Sequence, residues 1–262
     1  MSKILTSVHG RQAGLDDKGN WVAKGIGAGL DNNQRLLGSP TTVELFDDFL
    51  GDVVADQWNF VEGTDSATSA AAVLAGGIGG LLRFTTGDAG TGEAADMEQM
   101  NSYLNWQASN GDLVFEARLK LSAITNCYAF LGFTDTVSFE APIVSAASAN
   151  TLTSNATDAV GFMFDTRMTT DNWWLVGVAT DVDATHQDTG FAPVADTFAT
   201  FRIEVTSAGV AKFFYNGAPV GTAMTGAVTP AADLTPTVAV SKTSVAASMT
   251  ADLDYIHVSM TR

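Results

Sequence analysis

The chain has 262 residues, 46% hydrophobic and 16% charged, with a net charge of −16 and a single cysteine. That balance argues against nucleic acid and against an anionic membrane surface, since both are gripped by Lys and Arg neutralising phosphates. One thiol excludes an internal disulfide, and no segment approaches the roughly 20 apolar residues of a transmembrane helix.

Residues 1–42 differ from everything after them. Lys3, Arg11, Lys18, Lys24 and Arg35 stand against Asp16, Asp17 and Asp31, a balance of +2 that leaves −18 for the rest of the chain. The segment is Gly-rich, shows no sustained helical or strand period, and cannot bury much apolar surface alone. It reads as an extended arm that orders on a partner, or as an ordinary disordered leader; the partner-binding candidates are Lys3, Arg11, Lys18, Trp21, Lys24 and Arg35. Gly25, Gly27 and Gly29 lack the strand before and the Lys-Ser/Thr after that a phosphate loop requires. The first residues also lack the apolar core of a secretory signal.

From residue 43 the pattern is β. Residues 43–49 form an opening strand or short turn, with Phe46 and Phe49 expected in the core, Asp47 and Asp48 at the surface, and Trp58 and Phe60 packed beneath. Residues 81–85 read as a strand, and residues 97–106 as a strand or one helical turn. In 113–121, Phe115, Ala117, Leu119 and Leu121 alternate with Glu116, Arg118 and Lys120, the signature of a half-buried strand. Residues 128–134 and 160–165 are apolar throughout, which predicts central strands covered on both faces. The Ser/Ala/Asn/Thr-rich stretch 141–159 between them reads as a long loop. Residues 173–180 form a further strand and 181–189 an acidic loop.

Residues 198–219 give two strands and two turns. Phe201, Ile203 and Val205 alternate with polar residues, Gly209 turns the chain, and Asn216-Gly217 supplies the positive φ angles of a tight hairpin. Strands at 237–241 and 252–260 close the chain, the latter with Ile256, Val258 and Met260 on one face and Tyr255, His257 and Ser259 on the other. Ten or more short strands and no long amphipathic helix predict an all-β, antiparallel two-sheet sandwich.

The stretch FRIEVTSAGVAKFFYNGAPVGT resembles a strand pair of the concanavalin-like (laminin-G-like) jelly-roll superfamily of lectins and glucanases. LFDDFLGDVVADQWNF resembles the opening of such domains and DLDYIHVSMTR their closing strand. The resemblance spans residues 44–262 and implies a jelly-roll sandwich over 43–262 behind the arm of residues 1–42. Glucanases of that superfamily carry two glutamates flanking an aspartate on one strand, placed for retaining hydrolysis with carboxyl groups about 5–5.5 Å apart. The E-x-D-x-x-E pattern is absent here; Glu93, Asp96 and Glu98 come nearest without matching it. The expectation is therefore no enzyme and no cofactor.

Other chemistry is sparse. Asp181, Asp183, His186 and Asp188 could offer oxygen ligands to a hard cation, but their spacing is not that of an EF-hand, and a solvated acidic loop is the simpler reading. Cys127 has no histidine near it in sequence and reads as a buried structural thiol. Trp173 and Trp174 are adjacent on a strand and so face opposite ways; an outward Trp could stack on a sugar or a neighbouring subunit, or lie buried under the 141–159 loop.

With a low-charge surface and a docking arm, the resemblance implies a structural protein of a bacteriophage virion. Such a capsid decoration (cement) protein would bind the major capsid protein and other copies of itself, as a trimer, on the capsid surface. The alternative is a lectin-like carbohydrate-binding module that recognises a host-surface glycan.

Overall fold

The structure is a computed structural model that describes residues 42–51, 54–63, 70–74, 79–87, 97–137, 142–243 and 248–262, together with the backbone of five short strands before residue 42. Residues 1–44 with Thr261 and Arg262 form one unit, and Leu45–Met260 form a second.

In the first unit, β1 (Ile4–Val8), β2 (Arg11–Leu15) and β3 (Trp21–Lys24) make an antiparallel meander, and β4 (Gly29–Leu30) pairs with β5 (Leu36–Leu37). Strands of two to five residues are too short to write a period-2 pattern into the sequence, which explains why none was legible there.

The second unit is a two-sheet antiparallel sandwich. Its strands run in chain order as β6 (Thr42–Asp47, begun in the first unit), β7 (Asn59–Glu62), β8 (Ala70–Val73), β9 (Leu82–Thr85), β10 (Glu98–Asn101), β11 (Leu113–Leu121) and β12 (Cys127–Thr134). Then follow β13 (Val144–Ser148), β14 (Thr151–Ser154), β15 (Ala159–Asp165), β16 (Trp173–Ala179), β17 (Val182–Asp183) and β18 (Gln187–Asp188). The last are β19 (Ala199–Val205), β20 (Ala211–Tyr215), β21 (Ala218–Met224), β22 (Thr235–Lys242) and β23 (Thr250–Thr261). One sheet has the order β17-β16-β15-β12-β22-β10-β7, and the other β21-β20-β19-β11-β23-β9-β8. Strands far apart in sequence thus lie side by side, as in a jelly roll.

The two sheets meet through aromatic side chains. Phe133 of β12 packs edge-on to Phe115 of β11 at 5.8 Å, Phe162 of β15 to Phe201 of β19 at 5.2 Å, and Trp173 to Phe201 at 4.5 Å. Such tilted pairs add to the area each ring buries. β11 alternates buried and half-exposed residues along its whole length, so the second sheet has one open face. β12, β15 and β22 are buried at every position, so the first sheet is covered on both.

The cover on the outer face of the first sheet is the β13–β14 hairpin, which occupies the stretch expected to be a long loop. Ile143, Val144, Ala146 and Leu152 join Tyr128, Phe130, Met163, Trp174 and Val176 in one buried cluster. Polar clips hold it down: Asp165 accepts from the Ala146 N–H at 2.9 Å, and the Asn155 side-chain amide donates to the Pro142 carbonyl at 2.7 Å. Within this layer Gly161 has no alternative, because the Phe130 ring lies 2.6 Å from where a Cβ would stand.

The opening strand differs from expectation. Phe49 is buried, but Phe46 is 58% exposed. Outward positions on β6 are Glu44 and Phe46, and Phe49 turns inward through a positive φ of 52°. Asp47, expected at the surface, is half-buried and accepts from the Phe49 N–H and from Trp58 Nε1, each at 2.8 Å.

Candidate functional site

Neither tryptophan of the 173–174 pair is free. Trp173 is 2% exposed and lies between the sheets, while Trp174, 7% exposed, faces the other way into the cluster under the hairpin, 5.4 Å from the His186 ring. The indole N–H of Trp174 donates to the Thr170 carbonyl at 3.3 Å. A stacking platform on these two residues is therefore replaced by burial.

Of the arm residues, Lys3, Lys18 and Arg35 lie outside the described residues. Arg11, Trp21 and Lys24 are on β2 and β3, where only the backbone is described. In the carboxylate group near residue 98, Glu93 and Asp96 also lie outside the described residues. Glu98 is fully buried and pairs in register with Val240. That register puts Glu98 on the face of the first sheet turned toward the second, so it is not offered to a ligand on the outside.

The acidic loop folds on itself. Asp188 accepts from the Gly190 N–H, Thr170 Oγ1 and Asn172 Nδ2, all within 2.9 Å. Burial pushes its carboxyl up, but these three donors outweigh that and hold it below the usual carboxylate range. Among the described residues no group of three or more His, Cys, Asp or Glu is placed to hold a metal ion. Cys127 is fully buried, and desolvation, with Asp165 and Asp171 adding to it, pushes its thiol up to about 12. It is not a nucleophile at neutral pH.

The open face of the second sheet is where side chains converge at the surface. Outward residues of β11, β19 and β23 form a charge lattice: Arg202 reaches Glu116 at 3.2 Å and Glu204 at 2.9 Å, and Arg118 reaches Asp254 at 2.6 Å. Deeper, Asp252 binds Arg83 through two hydrogen bonds of 2.6 and 2.9 Å and Lys120 at 3.1 Å. These pairs tie four strands together, β9, β11, β19 and β23.

Next to that lattice is a groove of about 490 Å³ lined by Phe46, Asp48, Gly79, Glu116, Asp254, Tyr255 and His257. The Phe46 ring lies 6.3 Å from Tyr255 and 6.4 Å from His257, tilted to each. Tyr255 Oη donates to Glu116 Oε1 at 2.7 Å. Burial, then that hydrogen bond and the Glu116 charge, push the phenol up to about 12, so it stays a protonated donor at any physiological pH. The groove thus combines three ring edges and faces with three carboxylates, Asp48, Glu116 and Asp254. Rings offer a surface for C–H groups and carboxylates accept from hydroxyls, whereas an anion meets repulsion. Sequence periodicity had already put Tyr255 and His257 on one face; Phe46 was missed because an apolar residue in a short opening strand reads as core.

Comparison with known proteins gives a fold and no family. No family model matches the chain, and no curated protein sequence is similar to it. Solved structures do match. A Bacillus licheniformis β-glucanase superposes with a TM-score of 0.56 at 11% identity, covering 82% of this chain and 97% of that one. The Emp47p carbohydrate recognition domain gives 0.54 at 12% identity over 84% and 97%, and a Shewanella oneidensis MR-1 protein of unknown function, SO2946, gives 0.56 at 11% over 84% and 87%. At these identities the likeness is one of fold: the chain carries an antiparallel two-sheet jelly-roll sandwich.

Proposed function

We propose that the sandwich is a carbohydrate-binding module that holds a neutral glycan against the open face of its second sheet without cleaving it. The observation that carries this reading is the Phe46–Tyr255–His257 surface set among Asp48, Glu116 and Asp254. Its volume lies within the roughly 300–1,000 Å³ usual for ligand sites. A glucanase and a carbohydrate recognition domain among the proteins of similar fold support sugar as the ligand class. The carboxylates favour uncharged hydroxyls over sulfated or sialylated sugars.

Glycan-array screening followed by calorimetry tests it. The expected result is saturable binding of neutral oligosaccharides that weakens about tenfold or more in Tyr255→Ala and in Phe46→Ala, a loss of about 1.4 kcal/mol each. Absence of binding to any glycan, or wild-type affinity in Tyr255→Ala, would overturn the reading.

A second reading, a capsid decoration protein that docks through its N-terminal segment and associates with its own copies, is supported by one observation. Residues 1–44, with Thr261 and Arg262, form their own unit, which contains a three-stranded meander. Light scattering of the full chain beside one starting at Thr42 is the measurement. This reading expects a defined oligomer, a trimer, that falls to monomer on truncation; a monomer in both samples removes the segment as an assembly element.

A further inference from the structure

A second cavity, distinct from the groove, opens at one end of the sandwich between the two sheets. Its volume is about 160 Å³. Four aromatic residues dominate the wall: Trp173, Phe198, Phe201 and Tyr215. Trp173 and Phe201 meet edge-on at 4.5 Å, and Tyr215 stands edge-on to Phe201 at 5.5 Å. Phe198 is held by two cations, the Arg118 guanidinium 4.5 Å and the ammonium of Lys120, itself part of the wall, 5.2 Å from its ring centre. The rings are therefore held in place and do not collapse inward to fill the space.

Two further features mark the cavity as more than a packing fault. Trp173 Nε1 is buried and has no hydrogen-bond partner among the described residues. A buried donor left unmade costs about 1–3 kcal/mol, and such groups are rare enough in folded proteins that each asks for a reason. The mouth, moreover, is apolar and exposed: Val194 is 63% exposed, and beside it Phe191, 50% exposed, stacks on Tyr215 at 5.2 Å. Large apolar side chains around an opening favour entry of an apolar guest over water.

We infer that this cavity is a binding site for a single small aromatic ring bearing a hydrogen-bond acceptor oxygen. Size, wall chemistry and the unpaired donor agree on it. An apolar cavity of about 150 Å³ takes up benzene, and a guest ring meets the edges and faces of four others in the tilted arrangements aromatic pairs prefer. The guest's oxygen would accept from the Trp173 indole N–H, a buried donor that the described residues leave without a partner. A sugar ring fits less well, because aromatic and aliphatic side chains make up most of the wall, with Lys120, Thr197 and Asn216 the polar exceptions beside the tips of Tyr215 and Trp173.

The test uses the full chain with phenol and benzene as probes. Binding is followed through the indole N–H resonances, with that of Trp173 assigned from Trp173→Phe. Saturable binding of phenol that moves the Trp173 signal, with benzene several-fold weaker, is expected. Two variants narrow the space, Ala199→Leu from the wall and Val194→Trp at the exposed mouth, and each should weaken phenol at least tenfold; the second leaves the core untouched and keeps the test valid if the first fails to fold. In Trp173→Phe the preference for phenol over benzene should disappear while benzene still binds. Absence of saturable phenol binding, or wild-type binding in Val194→Trp, overturns the site; a phenol preference that survives in Trp173→Phe overturns the role of the indole donor.

Discussion

Tyr255 shows how one residue couples the groove to the stability of the sheet beneath it. Its hydroxyl is partly buried and donates to Glu116, which Arg202 also holds. Both burial and the carboxylate oppose ionisation, so the folded phenol titrates near 12 against about 10 in an unfolded chain. A raised acid pKa means that folding favours the protonated form. The stabilisation is complete below pH about 10 and disappears as the pH rises through about 12. Lysines also lose charge in this range, so the contribution is isolated by comparison with Tyr255→Phe. Urea unfolding at pH 9 and pH 11 should show a larger fall in stability for the natural chain than for the variant. Equal falls would mean that the hydroxyl is solvated and that Glu116 is not its acceptor.

At the scale of the element, the β13–β14 hairpin decides what the first sheet can do. It converts a face bearing Tyr128, Phe130, Met163 and Trp174 from surface into core. Its anchor is Asp165, fully buried, which accepts from the Ala146 N–H and from Arg167 at 2.6 Å. Replacing Leu152 by Ala removes apolar contact on the underside of the hairpin, and a cost of about 2–3 kcal/mol follows from large-to-small core substitutions. Asp165→Ala unclips the hairpin as well and should cost about 1–3 kcal/mol, the range for leaving a buried N–H without its acceptor. In both variants Trp174 fluorescence should shift to the red before the global transition; an unchanged spectrum throughout would show that the hairpin is not what shields it. This element was illegible in the sequence for a physical reason. Its strands are built mainly from Ser, Ala and Thr, residues that also make loops, and only Val144, Ala146 and Leu152 mark a buried side. By contrast β11 was legible to the residue, because nine positions alternate without a break, and so was the Asn216-Gly217 turn, with its φ angles of 51° and 78°. The groove was half legible: parity put Tyr255 and His257 on one face, but Phe46 and Glu116 join them only through pairing of strands distant in the chain, which no local pattern encodes.

At the scale of the whole molecule, charge sets a competition that salt can resolve. The chain carries −16, and its ion pairs lie mainly on one face, among them Arg202–Glu116, Arg118–Asp254 and Arg83–Asp252. Salt acts on both terms with opposite sign: it weakens the exposed pairs, each worth about 0–1 kcal/mol, and it screens the repulsion among the carboxylates in excess. Among the described residues the pairs are few, and Asp252 is shielded from solvent at 2% exposure, so its bonds to Arg83 and Lys120 respond little. The repulsion is long-ranged, and the screening length falls from about 30 Å at 0.01 M to about 10 Å at 0.1 M, less than the span of the sandwich. Repulsion should therefore dominate the response. Thermal unfolding in sodium chloride is expected to rise by several degrees between 0.01 and 0.3 M, where about 1 kcal/mol corresponds to roughly 2–4 °C for a chain of this size, and then to level off as screening saturates. A midpoint that falls over the same range would mean that the charge lattice of the open face, and not the excess of carboxylates, governs the electrostatics of this fold.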